Sequence, residues 1–265
     1  EKLPQLDREI IRQDWQIIHK KILAGQAHNL SGSDTNYLEA CTKAANSKKL
    51  REQYGTSINA KPRAYAFKGG YMTTLSRRLL GKSNLDSIEL SPQRVRSIGM
   101  DKAIEEAFQA YVGKTVDELA KIVKKTGIKT SPNAKNFYSR IALGLLGVRT
   151  NQAEELVNAR INIKAIRIEE NGKIKEHMSF PTFKYEEIVK EKWEESNLYD
   201  RLMETKYLFV VFRKQDGVYV LDKVMIWSMS KEDIKKYVKP VWLETKKRIK
   251  KGLADDLPRA KYNKV

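Results

Sequence analysis

The clearest chemical signature in this sequence is three residues at short spacing. From Arg160 the run Ile161-Asn162-Ile163-Lys164-Ala165-Ile166-Arg167-Ile168 alternates as a β-strand does. Asn162 and Lys164 then share one face, and Ile161 and Ile163 share the other. Glu155 lies seven residues before Asn162, at the end of the preceding segment. An acidic residue, a spacer and then carboxylate-x-lysine on one strand face is the layout of a metal-dependent phosphodiester hydrolase. Two carboxylates hold Mg²⁺ through oxygen, and the lysine positions or activates the attacking water. Acid-x-lysine recurs often by chance, so the pattern alone decides nothing.

Other chemistries find less support. His19, His28 and His177 are scattered without ligand spacing, so a zinc site is not expected. Cys41 is the single cysteine; it can form no intrachain disulfide, which fits a reducing compartment. His28 has two readings, a group near a phosphate or a general base on one hand, and a buried histidine satisfying a loop carbonyl on the other.

The elements that must position these residues fall into two sections, 1–86 and 87–265. The first is expected to be mainly helical. It opens with an amphipathic helix whose apolar face is Leu6, Ile10, Ile11, Trp15, Ile18 and Ile22. Ser31-Gly32-Ser33-Asp34 then offers a loop and an N-cap for a helix through Tyr37, Leu38 and Cys41, and Gly69-Gly70 marks a turn before another short helix. The second section alternates helices and strands, as a mixed α/β sandwich does. Thr115 and Glu118 form a capping box for a helix ending at Gly127, and a further helix runs from Asn136 to Leu146. After the Arg160 strand, Asn171-Gly172 is a hairpin turn returning through a strand ending near Phe180. A helix over Tyr185–Trp193 follows. The strand Tyr207–Phe212 then turns at Asp216-Gly217 into Val218–Trp227, and a basic helix from Lys231 to Lys251 closes the section.

A formal charge of +18 is far beyond what solubility requires and attracts polyanions, nucleic acid first. No apolar run approaches a membrane span and no lipidation signal is visible, so no membrane partner is expected. Between Lys43 and Lys82 ten basic residues face one acid, Glu52. They are Lys43, Lys48, Lys49, Arg51, Lys61, Arg63, Lys68, Arg77, Arg78 and Lys82, with Tyr54, Tyr65, Phe67 and Tyr71 interleaved. The segment is read as a nucleic-acid contact, with Lys61, Arg63, Lys68, Arg77 and Arg78 as candidate phosphate ligands, set against the plainer reading of a solvated surface over buried tyrosines.

The second section resembles the mismatch-repair nuclease MutH and the type II restriction endonucleases that cut at GATC. The resemblance is carried by Phe137–Gly147, Ile161–Ile166, Met178-Ser179-Phe180-Pro181, Trp193–Ser196 and Tyr207–Phe212. The first section is similar to the restriction-enzyme branch through Gln13-Asp14-Trp15, Gly25-Gln26-Ala27-His28 with Leu30-Ser31, and Ala60–Ala64. Nearly the whole chain is covered. It most resembles the C-terminal half of two-module enzymes, in which an N-terminal nuclease is followed by a degenerate copy of the same fold.

That resemblance implies a restriction-endonuclease-like mixed sheet flanked by helices, a bacterial cytoplasmic origin, double-stranded DNA as partner, and Mg²⁺ as the family's cofactor. Glu155 matches the family's first acidic position, Asn162 stands where the second carboxylate is expected, and Lys164 matches the lysine. Leu143 replaces a further glutamate. The expectation is therefore a degenerate site in which Glu155 alone remains as a metal ligand and the fragment binds no Mg²⁺. Lys135 matches a DNA-touching lysine, and Arg140 on the same helix is a further candidate. Lys246, Lys247, Arg248, Lys250 and Lys251 sit near a helix C-terminus, where positive charge is favoured anyway. The chain begins with Glu1 rather than Met and ends at Lys261–Val265, so it is read as a fragment ending before the family's base-reading segment.

Four functions are weighed. The first is a silent module that binds GATC-type DNA, with the N-terminal nuclease domain of the same protein as its partner and a possible DNA-induced dimer. The others are an active Mg²⁺-dependent endonuclease using Glu155, Glu154 and Lys164, a dimerisation or subunit-contact module, and an RNA-binding protein.

Overall fold

A three-stranded sheet of Ile161–Ile168, Lys206–Gln215 and Val218–Trp227, in that spatial order, carries the candidate strand. The structure is a computed structural model and describes residues 2–42, 49–82, 85–178, 180 and 182–257. Within them the chain divides into two compact units, Glu1–His177 with Thr205–Trp227, and Met178–Glu204 with Ser228–Val265.

In the first unit α1 (Gln5–Leu23) is followed by four short strands, β1 (Leu38–Thr42), β2 (Arg51–Gln53), β3 (Thr56–Ala60) and β4 (Arg63–Phe67). Then come α2 (Gly69–Leu79), α3 (Pro92–Ile98), α4 (Met100–Glu106), α5 (Val116–Lys125), α6 (Phe137–Leu145), α7 (Glu154–Ala159) and β5 (Ile161–Ile168). After an excursion into the second unit, β6 (Lys206–Gln215) pairs parallel to β5 and antiparallel to β7 (Val218–Trp227). The mixed α/β architecture and a first section helical at α1 and α2 are as expected.

Local chemistry accounts for the elements that match. Thr115 and Glu118 close the capping box on α5, whose Val116, Leu119 and Val123 fall on one buried stripe. Asp216 and Gly217 both have positive φ, 48° and 82°, the type I′ geometry that suits the right-handed twist of β6 and β7. Gly144 lets α6 approach α5, since a Cβ there would lie 2.3 Å from Cγ1 of Val123.

The helix expected through Tyr37, Leu38 and Cys41 is instead β1, paired antiparallel with β4 from Leu38↔Phe67 to Thr42↔Arg63. The buried Asp14 carboxylate imposes this by accepting the N–H groups of Asn36, Tyr37 and Leu38 at 2.6–2.9 Å. The return strand after Asn171-Gly172 reduces to one bridge, Ile168↔Ile174; Ser179 and Pro181 lie outside the described residues. Gly69 and Gly70 are the first residues of α2 rather than a turn before it. A Cβ on Gly70 would lie 2.3 Å from the Val157 carbonyl, so its absence lets α2 pack on α7.

Ile10, Tyr37 and Tyr71 from the first section share one hydrophobic cluster with Phe108, Ile161 and Leu208. Ion pairs reinforce it. Arg78 donates to Asp7 at 2.9 Å and to Glu154 at 2.7 Å, and buried Lys206 donates to Asn36 at 2.9 Å and Asp101 at 2.7 Å.

The second unit has its own core of Ile188, Trp193, Leu202, Ile234 and Trp242. The helix expected over Tyr185–Trp193 is α8 (Tyr185–Ile188), with a separate 3₁₀ turn at Trp193–Glu195, and α9 (Asn197–Glu204) follows. The closing basic helix is interrupted. α10 (Lys231–Asp233) passes through a π-helical turn at Ile234–Val238 into α11 (Lys239–Lys250). Pro240 lacks the N–H that would continue an α ladder, and the π turn absorbs the mismatch.

Candidate nuclease site and nucleic-acid surface

The short helix α7 ends because Arg160 turns left-handed, with φ 54°, while its carbonyl accepts the Lys206 N–H at 3.1 Å. That turn starts β5 in parallel pairing with β6. Asn162 lies opposite Tyr207 and Lys164 opposite Phe209, and on the far side Tyr207 pairs with Trp227. The expected alternation is present: Ile161 and Ile163 enter the core, and Asn162 and Lys164 are half-buried on the other face. Aromatic rings line that face, with Tyr207 stacked on Phe209 at 6.1 Å and Phe209 against Trp227 at 5.6 Å.

Glu155 sits in the first turn of α7, where a helix N-terminus favours negative charge. It is 3% exposed, and both its oxygens are engaged: Oε1 accepts from the Ser87 hydroxyl at 2.6 Å and Oε2 from the Ile88 N–H at 2.8 Å. Burial pushes the Glu155 carboxyl above its ordinary value, and these two donors oppose that shift. Glu154 is held by Arg78.

This donor set does not fit Mg²⁺. A hard cation needs several charged oxygens free to point at it. Each Glu155 oxygen already accepts a hydrogen bond from the protein, Asn162 is a neutral amide, and Leu143 is buried and apolar. Among the described residues no group of three His, Cys, Asp or Glu side chains could hold a metal ion.

The candidate phosphate ligands separate into two kinds. Lys61, Arg77 and Lys135 are exposed, as are Lys49, Arg51 and Lys82. Lys68 is a correction. It is 0% exposed, and its ammonium donates to the Thr35 carbonyl at 2.6 Å, so it cannot reach a phosphate. Burial lowers its pKa from 10.5 to about 7, helped by the nearby Lys206 charge. Arg63 and Arg78 also have inward partners: Arg63 bonds the Ala40 and Leu30 carbonyls, both at 2.6 Å, and Arg78 makes the pairs described above. Arg140 is half-buried on α6, with a buried Nε that has no hydrogen-bond partner among the described residues. Lys43 and Lys48 lie outside the described residues.

Remaining residues resolve into structure. His28 Nδ1 lies 3.1 Å from the Gln53 side-chain nitrogen. Asp34 accepts from Lys21 at 2.6 Å and from the Ser31 N–H at 2.7 Å, capping its own 3₁₀ turn. On α11 Lys246 bonds the Glu191 carbonyl and lies over the Trp242 ring, and Arg248 pairs with Glu244 and Asp256. Sequence reasoning missed the buried Asp14 and Lys206, because nothing in a sequence marks which polar side chains turn inward.

Residues 146–238 match the family model described as DNA mismatch repair enzyme MutH. The match spans the Glu155, Asn162 and Lys164 positions and all three strands of the sheet. Over those residues the chain is MutH-like. It is also 35% identical over 264 aligned residues to the type II restriction enzyme Sau3AI of Staphylococcus aureus. That alignment covers 94% of this chain and 53% of the relative, so the chain spans about half the length of the curated relative it matches. The second alignment takes in most of residues 1–86 as well, and the mixed α/β fold over β5–β7 is the MutH-like restriction-endonuclease fold. No helix among the described residues is long and apolar enough to cross a membrane.

Proposed function

We propose that this MutH-like chain binds double-stranded DNA without cutting it, and that it acts on a nuclease domain elsewhere in the same protein. One observation carries the reading: Glu155 is committed to Ser87 and Ile88, while its strand partner Asn162 has no charge to offer a cation. The scaffold around them is otherwise intact, with Lys164 on the same strand face and exposed cations at Lys61, Arg77 and Lys135. A phosphate surface with no competent metal cradle supports binding over hydrolysis. The proposed target is a GATC duplex. A second bound site would then favour the partner nuclease's active state through a coupling free energy.

The test is equilibrium binding to a GATC duplex and a scrambled duplex, at physiological salt with Mg²⁺, with the same samples checked for cut strands. GATC-selective binding with intact strands is the expected result. Cut strands would overturn the silent-site reading, and equal affinity for both duplexes would overturn the GATC assignment. The effector role fails if the nuclease half cuts one-site and two-site DNA at the same rates with and without this module.

A further inference from the structure

The face of β5 that carries Asn162 and Lys164 continues across the sheet of the first unit. Register places Tyr207 and Phe209 of β6 beside them and Trp227 of β7 beyond. Lys223, exposed and four residues before Trp227 on its strand, falls on the same face. Between them these positions carry two lysines, an amide and three aromatic rings, and no acid.

Two of these side chains are uncommitted. Neither the Asn162 amide nor the Lys164 ammonium has a hydrogen-bond or ion-pair partner among the described residues, and neither is among the fully buried polar atoms that lack one. Both residues are half-buried. The ladder to β6 fixes their backbones while their polar ends reach solvent. Glu155, the acid of the same sequence pattern, is in the opposite condition, buried and bonded to Ser87 and Ile88.

A carboxylate at position 162 would repel a DNA phosphate and meet it only through a shared cation. The amide that stands there lacks that charge and brings two N–H donors. No protein contact fixes its rotation, so its NH₂ is free to turn outward. Residues two apart on a strand lie roughly 7 Å apart, and a lysine stem is flexible enough to bring its ammonium to the group that the amide meets. We infer that Asn162 and Lys164 together hold one DNA phosphate with no metal ion, the amide donating to one non-bridging oxygen and the ammonium to the other. The residue that spoils the metal cradle thereby completes a metal-independent phosphate seat. Phe209 and Trp227, with ring centroids 5.6 Å apart, give the seat an apolar flank, and a lower local dielectric strengthens charge-assisted bonds. The affinity of this chain for DNA is then independent of Mg²⁺. This deepens the DNA-binding reading and rests on it.

The experiment is fluorescence anisotropy of the whole chain with a GATC duplex, in EDTA and in Mg²⁺ at matched ionic strength. Wild-type affinity should be the same in both. In EDTA, Asn162→Ala should bind about tenfold more weakly, the weight of one hydrogen bond to a charged group. Asn162→Asp should bind more weakly still, because it sets a like charge against the phosphate. Added Mg²⁺ should recover part of the Asn162→Asp loss and none of the Asn162→Ala loss. Lys164→Ala should reduce the slope of log affinity against log salt by about 0.9, and Lys164→Arg should keep it. Thermal unfolding of each variant checks the fold, and the wild-type comparison of EDTA with Mg²⁺ stands without any variant. Wild-type binding that requires Mg²⁺, or Asn162→Asp binding as tightly as wild type in EDTA, overturns the inference and leaves the DNA-binding reading in place. No duplex binding under either condition would sink both.

Discussion

The Ser87 hydroxyl donates to Oε1 of Glu155 at 2.6 Å, tying the start of the second section to the acid that the family pattern would assign to metal. A charged acceptor buried to 3% exposure makes that bond worth more than a surface one. Ser87→Ala should therefore lower unfolding free energy by about 1–3 kcal/mol, measured by denaturant titration. Asn162→Asp, which restores a second carboxylate on β5, should still leave supercoiled DNA uncut in Mg²⁺. Nicking by that single variant would mean that Glu155 turns away from Ser87 readily, and that Asn162 alone silences the site.

Much of this arrangement could be read from residue order where the determinants are local. The capping box at Thr115 and Glu118, the Asp216-Gly217 turn and the alternation at Ile161–Lys164 each depend on neighbours within a few positions. β1 was not legible because its conformation is dictated from afar: the Asp14 carboxylate on α1 takes the N–H groups of Asn36, Tyr37 and Leu38 where the strand begins, and β4 supplies the pairing. The same distance effect hides Lys68. In a tally of charges it counts as one more solvated cation, and only the fold turns it onto the Thr35 carbonyl. Glu155 was expected only at the end of the segment before the strand; that it opens a helix of its own, and that Ser87 and Ile88 donate to its two oxygens, could not be read from spacing.

Lys68 should make stability depend on pH. Its folded pKa, about 7 against 10.5, is depressed chiefly by burial and then by Lys206, with Asp14 and Glu39 pulling the other way and Arg160 adding to the depression. Between these two values the unfolded chain binds the extra proton. Stability from this group is therefore gained as pH rises from 7 toward 10.5, at up to about 1.4 kcal/mol per pH unit. Lys68→Met should flatten that rise in thermal unfolding followed from pH 7 to pH 9. An unchanged slope would mean that the ammonium stays protonated in the fold.

Gly144 and Val123 form a pair that can be tested by a double-mutant cycle. An alanine Cβ at 144 would sit 2.3 Å from Cγ1 and 2.8 Å from Cγ2 of Val123, a stiff β-branched side chain with no exposure. Gly144→Ala should destabilise by about 1–3 kcal/mol through overpacking. Combined with Val123→Ala the loss should be smaller than the sum of the two single losses, because the added methyl at 144 fills the space that the shortened side chain leaves. Additive losses would place the constraint in the backbone of α6 instead.

The division between outward and inward cations yields a prediction about salt. Lys61, Arg77 and Lys135 are exposed, whereas Arg63 is bonded to the Leu30 and Ala40 carbonyls. If each exposed cation neutralises one phosphate, alanine at that position reduces the slope of log affinity against log salt by about 0.9. The triple variant should lose between two and three units on the same basis, roughly additively. Arg63→Ala should instead lower the melting temperature and leave the salt slope of the folded protein unchanged. Fluorescence anisotropy across a salt series, paired with thermal unfolding of each variant, separates the two classes. A slope change at Arg63 equal to that at Lys61 would mean that its contacts with the Ala40 and Leu30 carbonyls yield to DNA.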